Sequence, residues 1–347
     1  MRKWITAILL ISFLVMPVCA MEFTAPTAPE SAMPYMPEEQ ETFLQGLLYI
    51  LKQAIFSTKP EIKNASGICL SVIALVLLLS LTGIMSKSAA GNIRLTGAVA
   101  IGVLLLGPAN TMIQLGAETV TDISEYGKLL IPVMTAAIAA QGGASSSTAL
   151  YAGTIFFNSL LTTVIVKLLI PALYIYLCLS VACCAIDQEM LKQIRDFVKN
   201  TMTWILKTVL YIFTGYMTIT GVITGTVDSS ALKAAKLAIS GSVPVVGGIL
   251  SDASETILVS AGVMKNAAGI YGIFATLAIC LGPFLNIGVQ YLLLKLTAGV
   301  CGIFDYKPTE TLIKDFSSGM GLVLAATGTV CIMLLISLVC FMKGMNI

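Results

Sequence analysis

The charged residues of this chain fall in short clusters, and uncharged apolar tracts run between them at residues 68–86, 95–117, 129–166, 168–186, 208–227, 266–294 and 316–342. About 20 apolar residues in a helix span a bilayer's hydrocarbon core. Inside lipid the backbone must satisfy its own hydrogen bonds, and these tracts lack the period-2 alternation of barrel strands, so the pattern predicts α-helices. The expected fold class is all-α: a polytopic integral membrane protein of about six to eight transmembrane helices with a re-entrant or interfacial amphipathic hairpin.

Composition supports that picture and narrows the chemistry. Hydrophobic residues make up 57% of the 347-residue chain and charged residues 11%, with mean hydropathy +0.93, more apolar surface than a soluble core of this size needs. A net charge of +2 and two tryptophans supply neither a basic reservoir nor a stacking platform, which argues against nucleic-acid binding. Histidine is absent. The commonest general base, the commonest zinc ligand and the usual partner of a Ser or Cys nucleophile are therefore missing. No Ser-Lys or Asp-Asp pattern replaces them, since Ser146 and Lys167 sit at opposite ends of one tract. No catalytic residue, cofactor or metal site is expected. Eight of nine cysteines (Cys69, Cys178, Cys183, Cys184, Cys280, Cys301, Cys331, Cys340) lie in or beside apolar tracts without CxxC spacing, which reads as packing.

The first 20 residues read as a signal peptide: Arg2 and Lys3, an apolar stretch from Trp4 to Met16, then Val18-Cys19-Ala20, with cleavage expected after Ala20 and an uncleaved anchor as the alternative. Residues 21–66 then form an extracytoplasmic leader. Its first half carries Pro26, Pro29, Pro34 and Pro37 among glutamates and is expected to be flexible. Phe43, Leu47, Ile50, Leu51 and Ala54 recur at helical spacing and suggest an amphipathic helix. The polytopic membrane domain occupies residues 67–347.

Lys and Arg counts orient the tracts. Lys87 and Arg94 are expected on the cytoplasmic side, the acidic joint Glu118, Asp122, Glu125 and Lys128 outside, and the basic joint Lys192, Arg195, Lys199 and Lys207 inside. Residues 129–166 must then begin and end outside, as two short crossings or a re-entrant hairpin broken around the Gly/Ser-rich residues 141–147. Beyond Val227, one bent helix through Gly282-Pro283 and two short helices are both admissible, which leaves the side of the C-terminus open.

The most individual stretch is residues 228–269. Lys233 and Lys236 share a helix face, Pro244 and Gly247-Gly248 permit a reversal, and Asp252 and Glu255 follow on a second amphipathic arm ending at Lys265-Asn266. Folded back about Pro244, Lys236 and Glu255 lie at one level and could pair near a membrane or a wet cavity, or the two arms could lie exposed at the interface.

These residues also carry a resemblance. Asp228, Ala235-Lys236, Pro244-Val245, Gly247, Asp252-Ala253, Glu255-Thr256, Lys265-Asn266 and Gly269, in this order, closely resemble the stage III sporulation protein AE family. The shorter leader here departs from that family's pattern. The resemblance implies a membrane component of the multiprotein channel or secretion complex between mother cell and engulfed forespore, needed for late forespore development. It implies residence in the mother-cell membrane around the forespore. It also implies partners among the other stage III proteins: small membrane proteins, a cytoplasmic ATPase and ring-forming bitopic proteins. Within that setting the assembly or gating element would be the hairpin of Asp228, Lys233, Lys236, Pro244, Gly247, Asp252, Glu255, Lys265 and Asn266. Glycine spacings such as Gly221 to Gly225 suit close helix packing, though with 29 glycines the spacing is expected by chance, and homo-oligomerisation is a separate expectation. The rival reading is an autonomous permease using Lys236, Asp252 and Glu255 as ligands, which would be expected to show two related halves; no internal repeat is visible.

Overall fold

The computed structural model describes residues 26–37, 42–85, 90–140, 144–186, 188–219, 267–304 and 307–344. Among them there is no strand. The helices are α1 (Phe43–Met85), α2 (Ala90–Ala140), α3 (Ala144–Val164), α4 (Ile170–Ile186), α5 (Glu189–Ile219), α6 (Ala267–Gly302) and α7 (Lys307–Gly344). One π-helical turn, Ile165–Leu169, joins α3 and α4 into a single rod. Five of these rods are long and apolar enough to cross a membrane, counting α3 and α4 together; α5 is the amphipathic exception.

Cross-helix contacts fix the directions. Phe43 at the start of α1 stacks on Phe274 near the start of α6, with ring centroids 5.2 Å apart, and Ser80 near the end of α1 donates to the Phe304 carbonyl just beyond α6. Those two helices run parallel. Asn158 reaches the Ser124 carbonyl at 3.2 Å and Tyr174 reaches Asn110 at 2.6 Å, so α2 and the α3–α4 rod run antiparallel. Phe157 meets Phe213 at 5.5 Å and Gly153 lies against Tyr216, so α5 runs antiparallel to α3. Gly269 lies against Met342, bringing the end of α7 to the start of α6. The result is six upright rods with alternating direction, and α7 ends at the level where α1 begins.

The most hydrophobic window of α7 is 94% buried within the protein, against 22% for α1. It runs through the middle, and its neighbours offer it glycines: Gly116 and Gly127 of α2 face Val323 and Leu334, and Gly269 of α6 faces Met342. Small residues at helix crossings let backbones approach where lipid supplies no hydrophobic drive between helices.

Several expectations change. The acidic joint is not a reversal between crossings. Glu118, Asp122, Glu125 and Lys128 lie inside α2, which continues to Ala140, because no helix breaker stands there and one face carries the charge. Lys167 likewise falls within the continuous α3–α4 rod, on its exposed side. Three expected tracts between residues 95 and 186 therefore build two long rods, and the break near residue 141 is the joint between them. Pro283 sits inside α6 without a reversal, which decides for a single helix there. The count among the described residues is five spans plus α5, where six to eight crossings are expected from the tracts.

Part of the leader is also seated where composition predicts flexibility. The Ala28 N–H donates to Tyr271 Oη at 3.2 Å, Ser31 donates to Asp122 at 3.0 Å, and Tyr35 donates to Ser57 at 3.1 Å. Ala32 is fully buried, and Met33–Tyr35 form one 3₁₀ turn begun with proline nearby. A short segment needs no core of its own when small residues dock into a preformed groove. The signal-peptide expectation, residues 1–20, lies outside the described residues. The amphipathic segment begun at Phe43 and the first apolar tract are one continuous helix.

Candidate functional site

α5 owes its place to its own amphipathicity. Arg195, Met202, Leu206, Leu210, Phe213 and Met217 recur at helical spacing and are buried against the bundle. The lowest of these is the charged one. Arg195 is 8% exposed, and its Nη1 donates to Asp315 Oδ2 of α7 at 2.7 Å. Its Nε and Nη2 lie 2.9 Å from Asp196 Oδ1 at the rim. Asp315 is 7% exposed, and its other oxygen accepts from Tyr176 of α4 at 3.2 Å. Three helices are thus tied at one buried point.

The network widens by one turn along α5 and α7. Lys199 donates to Ser318 at 3.1 Å, and Ser317 donates to the Tyr291 carbonyl of α6 at 3.1 Å. Tyr291 receives Lys295 at 3.3 Å on the same helix. An ionisable pair inside an otherwise apolar bundle marks a functional element by default, because burying either charge alone is expensive. Arginine stays protonated and both Asp315 oxygens are engaged. The arrangement suits a latch that fixes α5 to α7 better than a poised acid or base.

Beyond the pair the interior alternates in character. Ile165 and Leu169 of the π turn, with Met202, Leu206, Gly116 and Thr327, line an apolar cleft. π-helical turns often mark functional positions. Further along, Asn158 holds Ser124, while Asn158 Oδ1 and the Thr154, Thr162 and Tyr126 hydroxyls are buried without a hydrogen-bond partner. A polar latch, an apolar cleft and a polar seam therefore succeed one another along α3, α4 and their neighbours.

A family model described as stage III sporulation protein AE matches residues 35–344. The chain belongs to the stage III sporulation protein AE family. It is 23% identical to stage III sporulation protein AE of Bacillus subtilis (strain 168) over 245 residues, which is 71% of this chain and 61% of that protein. The match thus spans about three fifths of the curated relative's length. No solved structure matches this chain.

The residues singled out from sequence, Asp228, Lys233, Lys236, Pro244, Gly247, Asp252, Glu255, Lys265 and Asn266, all lie outside the described residues. Gly269 of the recognisable pattern is described, packed against Met342 within α6. The latch itself was legible only as fragments. Lys192, Arg195 and Lys199 are spaced three and four apart, a helix face, and Asp315 heads the last apolar tract. Counting the basic residues for orientation hid the one that turns inward.

Proposed function

We propose that this member of the stage III sporulation protein AE family is a non-catalytic membrane component of the sporulation-specific channel or secretion complex linking mother cell and forespore. In this reading it resides in the mother-cell membrane surrounding the forespore. Its partners are other proteins of that complex, and copies of the chain itself are candidates among them. The observation that carries the reading, beyond family membership, is the build of the bundle. The helix with the most apolar membrane-length stretch, α7, is reserved for the protein interior, and a buried ion pair ties the amphipathic α5 against it. That is the construction of a rigid platform around which other subunits assemble.

The test is an affinity purification of the tagged protein, crosslinked in sporulating cells after engulfment. Co-recovery of the other stage III proteins, with signal at the forespore envelope, is the expected result. Recovery of the protein alone, spread through the membrane of growing cells, would replace this reading by an autonomous permease.

A further inference from the structure

The leader and the end of α7 meet on one turn of α6. Gly269 packs against Met342 at the end of α7, and two residues further on the Tyr271 hydroxyl accepts from the Ala28 N–H of the leader. Phe43, which opens α1, stacks on Phe274 in the next turn. Tyr216 near the end of α5 covers Gly153 near the start of α3, so those two helix termini lie together as well.

The other end of the bundle is tied by a separate set of contacts. Leu79 near the end of α1 lies against Gly97 near the start of α2, Ser80 donates to the Phe304 carbonyl, and Glu310 in the first turn of α7 faces Gly302 at the end of α6. The joints at this end are residues 86–89, 187–188 and 303–306. Five rods running between the two ends are long and apolar enough to cross a membrane, which puts the two ends on opposite sides of it. That placement comes from contacts at the helix termini. It needs no count of crossings, so it holds whether or not the amphipathic α5 is reckoned as a span.

The leader then says which end is which. Residues 1–20 carry the pattern of a signal peptide, which exports the chain that follows, and residues 21–42 contain no Lys or Arg. Lys87, Arg94, Lys192 and Lys307 stand in or beside the joints of the opposite end, as cytoplasmic joints do. We infer that the end of α7 shares the exported side of the membrane with the leader, the end of α5 and the start of α6, and that the cytoplasmic side receives the three short joints. A partner that recognises the leader or the helix termini around it must therefore carry its binding surface outside the cytoplasm. A cytoplasmic partner meets the three joints and the helix turns beside them. The inference does not rest on the sporulation-complex reading, because it concerns the folded protein in any cell membrane.

Thiol labelling from one side of the membrane tests it. Among the described residues Cys178 is the exposed cysteine, so Cys178→Ser is the parent and sets the background. Four variants of the full-length protein are made in it: Met33→Cys on the exposed side of the leader, Asn346→Cys beyond α7, and Glu189→Cys and Lys307→Cys at exposed positions beside the short joints. Protoplasts of expressing cells are treated with a charged, membrane-impermeant maleimide before and after permeabilisation. The expected result is labelling of Met33→Cys and Asn346→Cys in intact protoplasts, at least tenfold above Glu189→Cys and Lys307→Cys, which react after permeabilisation. Labelling of Asn346→Cys together with Glu189→Cys and Lys307→Cys, on the side away from Met33→Cys, would overturn the inference by parting α7 from the leader. Labelling of Glu189→Cys and Lys307→Cys in intact protoplasts, with Met33→Cys and Asn346→Cys protected, would overturn it by reversing the bundle in the membrane. A C-terminal alkaline phosphatase fusion, active when exported and inactive in the cytoplasm, reads the side of α7's end a second time without altering any helix.

Discussion

Replacing Arg195 by methionine tests the latch most directly. The change roughly keeps the length of the side chain and removes the guanidinium that lies 2.7 Å from Asp315. Asp315 is then left with the Tyr176 hydroxyl at 3.2 Å as its direct hydrogen-bond donor, in a site where it is 7% exposed. Removing one partner of a buried pair costs about 3–5 kcal/mol, because the stranded charge keeps its desolvation penalty. At 1.4 kcal/mol per power of ten, the folded-to-unfolded ratio falls by about two to three and a half powers of ten. Asp315→Asn is expected to cost less, since Arg195 retains Asp196 at 2.9 Å and the rim carboxylate still reaches water. The double variant Arg195→Met/Asp315→Leu removes both charges and is expected to recover most of the loss, since apolar replacement of a buried pair is often neutral or stabilising. Reversible unfolding in mixed detergent micelles measures all three against the unaltered protein. Additive losses in the double variant would refute the reasoning, because they would show that the two residues do not act on each other.

Further outcomes follow from single contacts. Gly116→Ala drives a Cβ into Val323 Cγ1, and is expected to destabilise by about 1–3 kcal/mol, with Val323→Ala restoring part of it in the same unfolding assay. Tyr35→Phe removes one hydrogen bond to Ser57 and is expected to cost about 0.5–1.5 kcal/mol of leader docking, read as faster proteolysis within residues 26–37. Asn158→Leu trades one bond to Ser124 for relief of an unpartnered carbonyl oxygen, so a change within about 1 kcal/mol is expected; a loss above about 3 kcal/mol would mean that the buried amide has a partner that the described contacts do not include. In sporulating cells, Arg195→Met is expected to reduce co-purification of the other stage III proteins, whereas the paired substitution restores it.

The helical, membrane-embedded character of the chain was legible from the uncharged tracts alone, because lipid demands long apolar helices wherever the backbone crosses it. The family was legible from the ordered residues between Asp228 and Gly269, where no physical pattern would have suggested sporulation. Tract counting failed where a charge did not end a helix. Glu118, Asp122 and Glu125 repeat on one face of α2, and Lys167 sits outward on the α3–α4 rod, so the charges stay out of the protein core without a break in the backbone. A tract records where charges stand along the chain; it does not record which side of a helix they occupy. For the same reason Arg195 read as one of several cytoplasmic charges, when rotation of α5 sets it inward and its neighbour Asp196 outward. Local sequence determined which segments are helices and which faces are apolar. Only tertiary packing decided that α7 would be the core, that the chain would run on through Pro283 as one helix, and that Arg195 would meet Asp315 from 120 residues away, since each depends on which rods become neighbours.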